Sequence, residues 1–312
     1  MNQVSIKENW SQDNHRTDFV SNDLETNLHA LLRPTAAAAV YARTGLFEQV
    51  IEGLAGLISR WRETGTEVWR FPPVMSRQML EKSGYLNSFP HLLGCVSCLS
   101  GSESEIRSAV ESENWAAGLM ASDLVLAPAA CYPVYPLQAA QGSLPAEGRV
   151  FDVAADCFRR EETSETGRLQ SFRMREYVFM GTPDQALDFR ARWQPQAEQI
   201  ATQLGLPYTI APASDPFFGR VGKISAVIQL QRSLKYELLI PVHSTQEPIA
   251  CMSFNYHLDH FGSTWGLQTS TSEVAHTACV AFGMDRLALA IFATHGIEPQ
   301  KWPAGVREQL SV

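Results

Sequence analysis

Apolar residues recur at every third or fourth position in several stretches of the chain, and this spacing predicts helices that pack one face on a core. The clearest such helix covers residues 46–61 and is followed by Gly65, a residue type that commonly ends helices. A second long helix is predicted over residues 183–205, with Pro195 expected to kink or break it. Further helices are predicted over residues 24–32, 76–83, 103–114 and 275–294.

Alternating or continuous apolar residues, bounded by prolines and glycines, predict strands between these helices. No phosphate-binding pattern such as GxGxxG or GxxxxGK follows any of these strands. Strands joined largely by hairpins favour an α+β fold, with an antiparallel sheet flanked by helices, over a doubly wound parallel sheet. The predicted strands cover residues 66–73, 90–99, 124–136, 208–210, 235–242 and 249–255, with two more inside 153–181.

Repeats, low-complexity tracts and linkers are not found after the polar start of the chain, which predicts a single domain over residues 23–312. Within it, the helix at about residues 183–205 is expected to be an insertion that follows the central pair of strands. Residues 1–22 are polar and are expected to be flexible.

Composition narrows the class of protein. Of the 312 residues, 45% are hydrophobic and 19% are charged, an ordinary balance for a globular protein. No apolar run reaches membrane-spanning length, and the start of the chain lacks the apolar core of a signal peptide, so we expect a cytoplasmic protein without membrane contact. A net charge of −8 argues against a broad basic surface for nucleic acid. Six cysteines in that compartment are expected to be thiols or metal ligands.

Charged and aromatic side chains are concentrated in residues 153–181, on two predicted strands joined by a polar loop. Strand alternation places Arg159 and Glu161 on one face of the first strand, and Phe172 and Glu176 on one face of the second. Burying an arginine and two carboxylates without a ligand would be costly, which indicates a binding site. From spacing alone, a surface hairpin whose charges pair with one another explains the pattern equally well.

The sequence FRRE at 158–161, the loop with Gly167 and Arg168, and the strand with Phe172 resemble the second signature motif of the class II aminoacyl-tRNA synthetases. The resemblance implies that the chain binds ATP with Mg²⁺. It places Arg159 at the α-phosphate, Glu161 at the adenine amino group and Phe172 stacked on the adenine ring.

Gly283 and Arg286, followed by an apolar stretch, resemble the third motif of the same family, which implies that Arg286 binds the γ-phosphate. The helix and strand over residues 46–73 have the order of the first motif, which implies a homodimer. Glu247 is a candidate magnesium ligand by proximity. The remaining positions implied to contact ATP are Arg168, Leu169, Ala250, Cys251, Met252 and Ser253.

The stretches CYPVYP, SFRMREYVFMGTP and CMSFNYHLDHFG give a narrower resemblance, to seryl-tRNA synthetases of methanogenic archaea and more closely to the amino acid:[carrier protein] ligases. That resemblance implies a catalytic Zn²⁺ held by Cys131, Glu176 and Cys279, which binds the α-amino group of the substrate. Without it, unrelated buried cysteines explain the residues better. The pair Cys95 and Cys98 has no second pair nearby, so both are expected to be buried thiols.

The resemblance also implies the activity. A small amino acid, glycine first and alanine second, would react with ATP to give an aminoacyl-adenylate and then pass to the phosphopantetheine thiol of a carrier protein. Two alternatives stay open: tRNA charging, which the missing tRNA-binding domain and the acidic charge disfavour, and a non-catalytic paralogue that acts as a binding module. The carrier is expected to dock at the 183–205 helix through Arg190 and Arg192.

Three further groups lie near the implied site. Asn255 is expected to face the substrate together with Glu176. The cluster at 257–260, HLDH, has the composition of a metal site but is more often a set of polar contacts. The sequence KYE at 235–237 resembles the KYD-type strand of seryl enzymes, which implies that Glu237 is a sheet residue near the substrate, with an open role.

Overall fold

The computed structural model describes residues 28–112, 114–161, 167–242 and 248–312. The expectation for residues 1–22, part of the helix expected over 24–32, and Glu247 lie outside these ranges. Within them, no helix is long and apolar enough to cross a membrane.

Helices and strands alternate irregularly along the chain. The strands are β1 (Leu32–Pro34), β2 (Tyr41–Arg43), β3 (Glu67–Arg70), β4 (Val74–Ser76), β5 (Cys95–Leu99), β6 (Leu119–Leu126), β7 (Arg149–Phe158), β8 (Ser171–Gly181), β9 (Thr209–Pro212), β10 (Lys235–Ile240), β11 (Ile249–Leu258) and β12 (His276–Gly283). The α-helices are α1 (Gly45–Arg60), α2 (Arg77–Lys82), α3 (Tyr85–Ser88), α4 (Glu103–Glu111), α5 (Val134–Ala139), α6 (Pro183–Gln203), α7 (Gly219–Gln231), α8 (His260–Trp265), α9 (Met284–His295) and α10 (Ala304–Leu310).

A seven-stranded sheet with the order β3-β7-β8-β12-β11-β10-β9 forms the centre of the fold. Its described pairings are antiparallel except at one edge, where β3 runs parallel to β7. A smaller sheet with the order β4-β6-β5 lies beside it. The predicted α+β fold with an antiparallel sheet flanked by helices is confirmed, apart from this one parallel edge.

Helices α1, α6 and α9 bury their apolar faces in one core with the large sheet. On β8, Tyr177 stacks on Trp193 of α6 with ring centroids 4.7 Å apart, and its hydroxyl donates to the carbonyl of Ile58 in α1. Because strand residues alternate between faces, Glu176 points away from these helices. The opposite face of the sheet is therefore where a site can form.

The helix predicted over residues 275–294 is wrong in its first half. Residues 276–283 form β12, which pairs with both β8 and β11, and α9 begins only at Met284. A fully buried strand is apolar on both faces, so its sequence cannot be told from a buried helix by periodicity. Pairing with two neighbouring strands decides the conformation here.

Two other expectations about helices are corrected. Pro195 does not end α6, because apolar residues on both sides of it, including Trp193 and Ala197, are buried in the core. Helix α7 was not predicted, since two glycines interrupt its sequence. Gly219 starts it with φ +71°, and a Cβ on Gly222 would lie 2.6 Å from the backbone of Phe217, so only glycine fits there.

Cys95 and Cys98 are exposed, which contradicts the expectation of buried thiols. The segment 90–99 divides into a 3₁₀ turn over Pro90–Leu92 and the short strand β5. Because β5 is the edge strand of the small sheet, its side chains are not covered on both faces.

Candidate active site

A cavity of about 500 Å³ lies on the open face of the large sheet, between the sheet and the segments that contain Tyr85, Cys131 and Asp215. Almost all residues that the sequence singled out line it. They are Cys131, Arg159, Glu161, Leu169, Phe172, Glu176, Ala250, Cys251, Met252, Ser253, Asn255, Cys279 and Arg286.

Strand register brings the distant members together. Glu176 on β8 lies opposite Ala281 on β12, and Cys279 on β12 lies opposite Asn255 on β11. Residues that lie directly opposite one another on neighbouring strands point to the same face of the sheet, and Cys279 is two positions from Ala281 on β12. Glu176, Cys279 and Asn255 therefore share one face. Three strands that are far apart in sequence thus place a carboxylate, a thiol and an amide side by side.

Cys131 reaches the same point from above the sheet, on the loop between β6 and α5. Its backbone N–H donates to Oε1 of Glu176 at 3.0 Å. The thiols of Cys131 and Cys279 both lie against the Glu176 carboxylate, and Nδ2 of Asn255 donates to Sγ of Cys279 at 3.3 Å. We call Cys131, Glu176 and Cys279 the dithiol–carboxylate cluster.

The cluster is buried, with 6%, 2% and 3% of Cys131, Glu176 and Cys279 exposed. Burial raises the pKa of the Glu176 carboxyl, although hydrogen bonds from the two thiols oppose the change. Burial, followed by the charge of Glu176, raises the pKa of both thiols well above the ordinary value of 9.0. Without a bound cation, the thiols therefore stay protonated.

Two thiols and a carboxylate are a donor set that suits zinc, and a set of three leaves a coordination position for a substrate. All three side chains line the same cavity, and the chemistry of their donor atoms suits the ion. However, no group of three or more His, Cys, Asp and Glu residues in the described ranges is already arranged as a metal centre. The cluster is arranged around hydrogen bonds to Glu176.

At the other end of the cavity lie the residues that resemble a nucleotide site. Arg159 donates from Nε to the carbonyl of Pro128 at 3.0 Å, and its guanidinium lies 5.4 Å from the centroid of the Phe172 ring. Glu161 accepts a hydrogen bond from Arg168 at 3.0 Å. The first contact holds the Arg159 guanidinium near the Phe172 ring, and the second pairs the charges of Glu161 and Arg168.

Arg286, on the first turn of α9, faces the same space. Its Nε donates to the carbonyl of Gly167 at 2.9 Å and its Nη1 to the carbonyl of Ala250 at 3.1 Å. Burial lowers the pKa of Arg286 from 12.5. The side chain still carries its charge at neutral pH and is oriented by two carbonyl oxygens that do not neutralise it.

Sequence reasoning missed a partly buried ionic triplet that lines the cavity. Nζ of Lys235 lies 2.6 Å from Asp215 and 2.8 Å from Glu237. Gln229 of α7 also donates to Asp215, at 2.8 Å. Glu237 was expected near the substrate, but no pattern in the sequence marks Asp215, which lies in a loop after β9.

The cluster at 257–260 is not a metal site but contains one important residue. His257 lies at the site, with Nε2 3.6 Å from Sγ of Cys279, and burial lowers its pKa to about 4. Asp259 accepts a hydrogen bond from Ser263, and the His260 ring contacts the carbonyl of Ser83. Alternation from Asn255 along β11 would have placed His257 on the cavity face.

Arg190 does not belong to an open cationic surface. It donates to the carbonyl of Ser233 at 2.6 Å, and its guanidinium lies over the rings of Tyr236 and Tyr256. Arg192 is half exposed and lies 3.9 Å from Glu63. The expected docking surface is therefore reduced to Arg192.

Comparison with known proteins gives closely similar relatives and a structural class. No protein-family model matches the chain. "Amino acid--[acyl-carrier-protein] ligase 1" of Bradyrhizobium diazoefficiens is 57% identical over 297 residues, which are 94% of this chain and 91% of that protein.

Solved structures similar to the chain include synthetases. One is the crystal structure of A. aeolicus tRNASec in complex with M. kandleri SerRS, with a TM-score of 0.79, 20% identity, and coverage of 98% of this chain and 62% of that chain. Another is seryl-tRNA synthetase from Pyrococcus horikoshii complexed with ATP, with a TM-score of 0.64, 15% identity, and coverage of 94% and 60%. These likenesses show the class II seryl-tRNA synthetase fold.

Proposed function

Because the chain belongs to the family of amino acid–[acyl-carrier-protein] ligases, an enzyme family, we propose that it activates a small amino acid with ATP and transfers it to the phosphopantetheine thiol of a carrier protein. The observation that carries the proposal is that one cavity joins the two arginines and the aromatic ring of a nucleotide site to the dithiol–carboxylate cluster. The two ends match the two substrates of the first step.

In the first step, a carboxylate oxygen of the amino acid attacks the α-phosphorus of ATP and pyrophosphate leaves. No general base is needed, because the nucleophile is already an anion. Arg159 would steady the α-phosphate, and Arg168 and Arg286 would steady the departing pyrophosphate. A bound Mg²⁺ would supply further positive charge to the phosphates. Glu161 and Phe172 would hold the adenine by a hydrogen bond and by stacking.

In the second step, the thiol of the phosphopantetheine arm attacks the carbonyl carbon of the adenylate. The bond to AMP breaks, a thioester forms and the thiol proton is lost to solvent. Orientation in the cavity is the main contribution expected of the protein here as well.

Amine recognition is assigned to zinc. Cys131, Glu176 and Cys279 would hold the ion as two thiolates and a carboxylate, and a bound Zn²⁺ supplies a Lewis-acid position that accepts a neutral amine. Glu176 and Asn255 lie beside that position and would orient the rest of the substrate. An acid without the amino group would leave the position unsatisfied and would be rejected.

Side-chain size is the second criterion. The rings of Tyr132, His257 and Phe261 line the cavity that contains the cluster, and these rings would limit the size of the side chain that a substrate can carry. Glycine is therefore the first candidate and alanine the second. Rejection of one methyl group in such a pocket corresponds to about 1–3 kcal/mol.

A carrier protein is favoured over tRNA as the acceptor. The net charge of −8 opposes a broad contact with a phosphate backbone. We also propose a homodimer and a single catalytic domain over residues 23–312, in keeping with the order of elements in residues 46–73.

The experiment that tests the function is ATP–pyrophosphate exchange with each of the twenty amino acids, followed by separate transfer assays to holo carrier protein and to tRNA. We expect exchange with glycine, weaker exchange with alanine, none with glycolate, and transfer to the carrier thiol alone. Exchange with no amino acid would favour a binding module, and transfer to tRNA would favour a tRNA ligase.

A further inference from the structure

Each thiol of the dithiol–carboxylate cluster has its own hydrogen-bond donor nearby, in addition to the residues already assigned. Building on the proposed zinc role, we propose that Tyr135 and His257 are positioning residues that donate to the thiolates of Cys131 and Cys279, respectively. They would hold the sulfur atoms in their metal-binding form without themselves binding zinc.

Tyr135 carries the first half of this proposal. It lies on the first turn of α5 and is fully buried, and its hydroxyl has no hydrogen-bond partner among the described residues. The hydroxyl lies beside the Cys131 thiol and affects its pKa. Its ring is stacked on Phe261 with centroids 3.9 Å apart, so the side chain cannot turn to another partner.

A buried hydroxyl without a partner is unfavourable, and structures seldom retain one without a reason. An S–H group is only a weak hydrogen-bond acceptor. A metal-bound thiolate at the same place would be a strong acceptor for the Tyr135 O–H. A zinc-bound Cys131 thiolate would thus give the Tyr135 hydroxyl its hydrogen-bond acceptor.

His257 carries the second half. Its Nδ1 lies 2.9 Å from Oγ1 of Thr277, which is fully buried, and its Nε2 lies 3.6 Å from Sγ of Cys279. If the Thr277 hydroxyl donates to Nδ1, the neutral ring carries its proton on Nε2, toward the sulfur. With Asn255 on another side, Cys279 then faces two donors.

Outer residues that orient metal ligands usually change metal affinity by 10- to 100-fold when they are removed. We therefore expect Tyr135→Phe and His257→Phe to retain one zinc per chain but to bind it about 10- to 100-fold more weakly. Thr277→Val should also weaken zinc binding. Thr277→Ser, which keeps the hydroxyl, should bind zinc as tightly as the unmodified chain does.

The test is chelator competition on the purified full chain loaded with zinc, together with absorption spectra of the Co²⁺-substituted protein. Tyr85→Phe is the matched control, because it also removes a buried hydroxyl without a hydrogen-bond partner and should leave the affinity unchanged. In the Tyr135 and His257 variants, the sulfur-to-cobalt charge-transfer band should shift in wavelength, while each chain still binds one Co²⁺ ion.

Unchanged zinc affinity and unchanged cobalt spectra in both variants, with one zinc per unmodified chain, would overturn this inference and leave the proposed function intact. Complete loss of zinc in His257→Phe, equal to that in Cys279→Ala, would show that His257 is a ligand and would also overturn it. An unmodified chain that binds no zinc would overturn the inference and the proposed amine recognition together. Circular dichroism of each variant separates a lost contact from a lost fold.

Discussion

At the scale of single residues, the candidate site depends on side chains that are costly to bury alone. Glu176, Cys131 and Cys279 lie together at exposures of a few per cent, and Arg286 donates hydrogen bonds to two backbone carbonyl oxygens. Such groups persist in a fold when a ligand or a partner satisfies them. Substitutions in the cluster should therefore weaken binding of the amino acid alone, and substitutions of Arg286 should weaken binding of ATP alone.

Cys279→Ala should abolish activation of the amino acid while leaving the affinity for ATP almost unchanged. The residue belongs to the dithiol–carboxylate cluster, and the nucleotide end of the cavity is formed by other side chains. ATP–pyrophosphate exchange measures the first property and calorimetric titration with ATP the second. Cys98→Ala, at an exposed thiol, is the control. Full exchange activity in a metal-free Cys279→Ala protein would refute amine recognition by this cluster.

Asp152 is the most heavily paired carboxylate on the other side of β7. It is fully buried and accepts from Arg62 and Arg175 at 2.6 Å, with Arg70 at 3.2 Å. Asp152→Ala should lower the free energy of unfolding by about 3–5 kcal/mol, since it leaves buried Arg175 without its charge partner. Asp123→Ala, at an exposed ion pair, should cost less than about 1 kcal/mol. Urea denaturation compares the two.

The same pair of variants gives a pH dependence. Burial raises the pKa of Asp152, but hydrogen bonds and charge from Arg175 outweigh it, so the folded-state pKa lies below the ordinary 3.8. The stabilisation is fully present above that ordinary value and is lost as the pH falls through the folded-state pKa. The difference in unfolding free energy between the wild type and Asp152→Ala should thus shrink below about pH 4. A constant difference down to pH 2 would contradict this assignment.

At the scale of elements, the sequence predicted those pieces whose local pattern agrees with their tertiary surroundings. The prediction for helix α1 agrees with the structure within one residue at each end, because its apolar residues keep the helical spacing over nearly the whole element. Strand β12 was mistaken for helix because only its two neighbours make it a strand. Helix α7 was missed because Gly219 and Gly222 obscure it.

The candidate site shows the same division. The nucleotide end was found from local motifs around Arg159 and Arg286. Cys131 and Cys279 needed a resemblance to a family, since no spacing rule joins positions so far apart. Asp215 could not be found from the sequence, because its side chain comes close to Lys235 only when β10 takes its place in the folded sheet.

Two helices carry the same capping box in different surroundings, which gives a matched test. Thr182 and Gln185 cap α6, whose buried face lies in the main core, and Ser102 and Glu105 cap α4, which has no buried residue. Thr182→Ala should lower the free energy of unfolding by about 1 kcal/mol. Ser102→Ala should only fray α4 and leave the global transition unchanged.

Thermal or urea unfolding by circular dichroism measures both variants, and hydrogen exchange of α4 detects fraying in the second. Equal losses of global stability in the two variants would contradict the view that α4 contributes little to the core.

At the scale of the whole molecule, the apolar face of α1 is not available for the interface of the proposed dimer, since that face packs on α9 and α10. The edge strand β3 is the part of residues 46–73 that stays accessible, with Val68 45% exposed. An unpaired strand edge with an exposed apolar side chain is a natural place for a second copy to bind.

Val68→Asp should therefore convert a dimer to a monomer, measured by sedimentation equilibrium at micromolar concentration. Val110→Asp, on α4 at 60% exposure, introduces the same charge elsewhere and should leave the dimer intact. A dimer that survives Val68→Asp would place the interface away from β3.

The two-residue alternation along β8, β11 and β12 has an evolutionary consequence. Each polar or reactive side chain on the cavity floor shares its strand with core residues that point to the opposite face. Insertion or deletion of one residue inside such a strand would turn the following polar side chains into the core and the following apolar side chains into the cavity. Descendants of this gene should accordingly differ in length at their loops, while changes of substrate preference arise by replacement of single floor side chains at constant strand length.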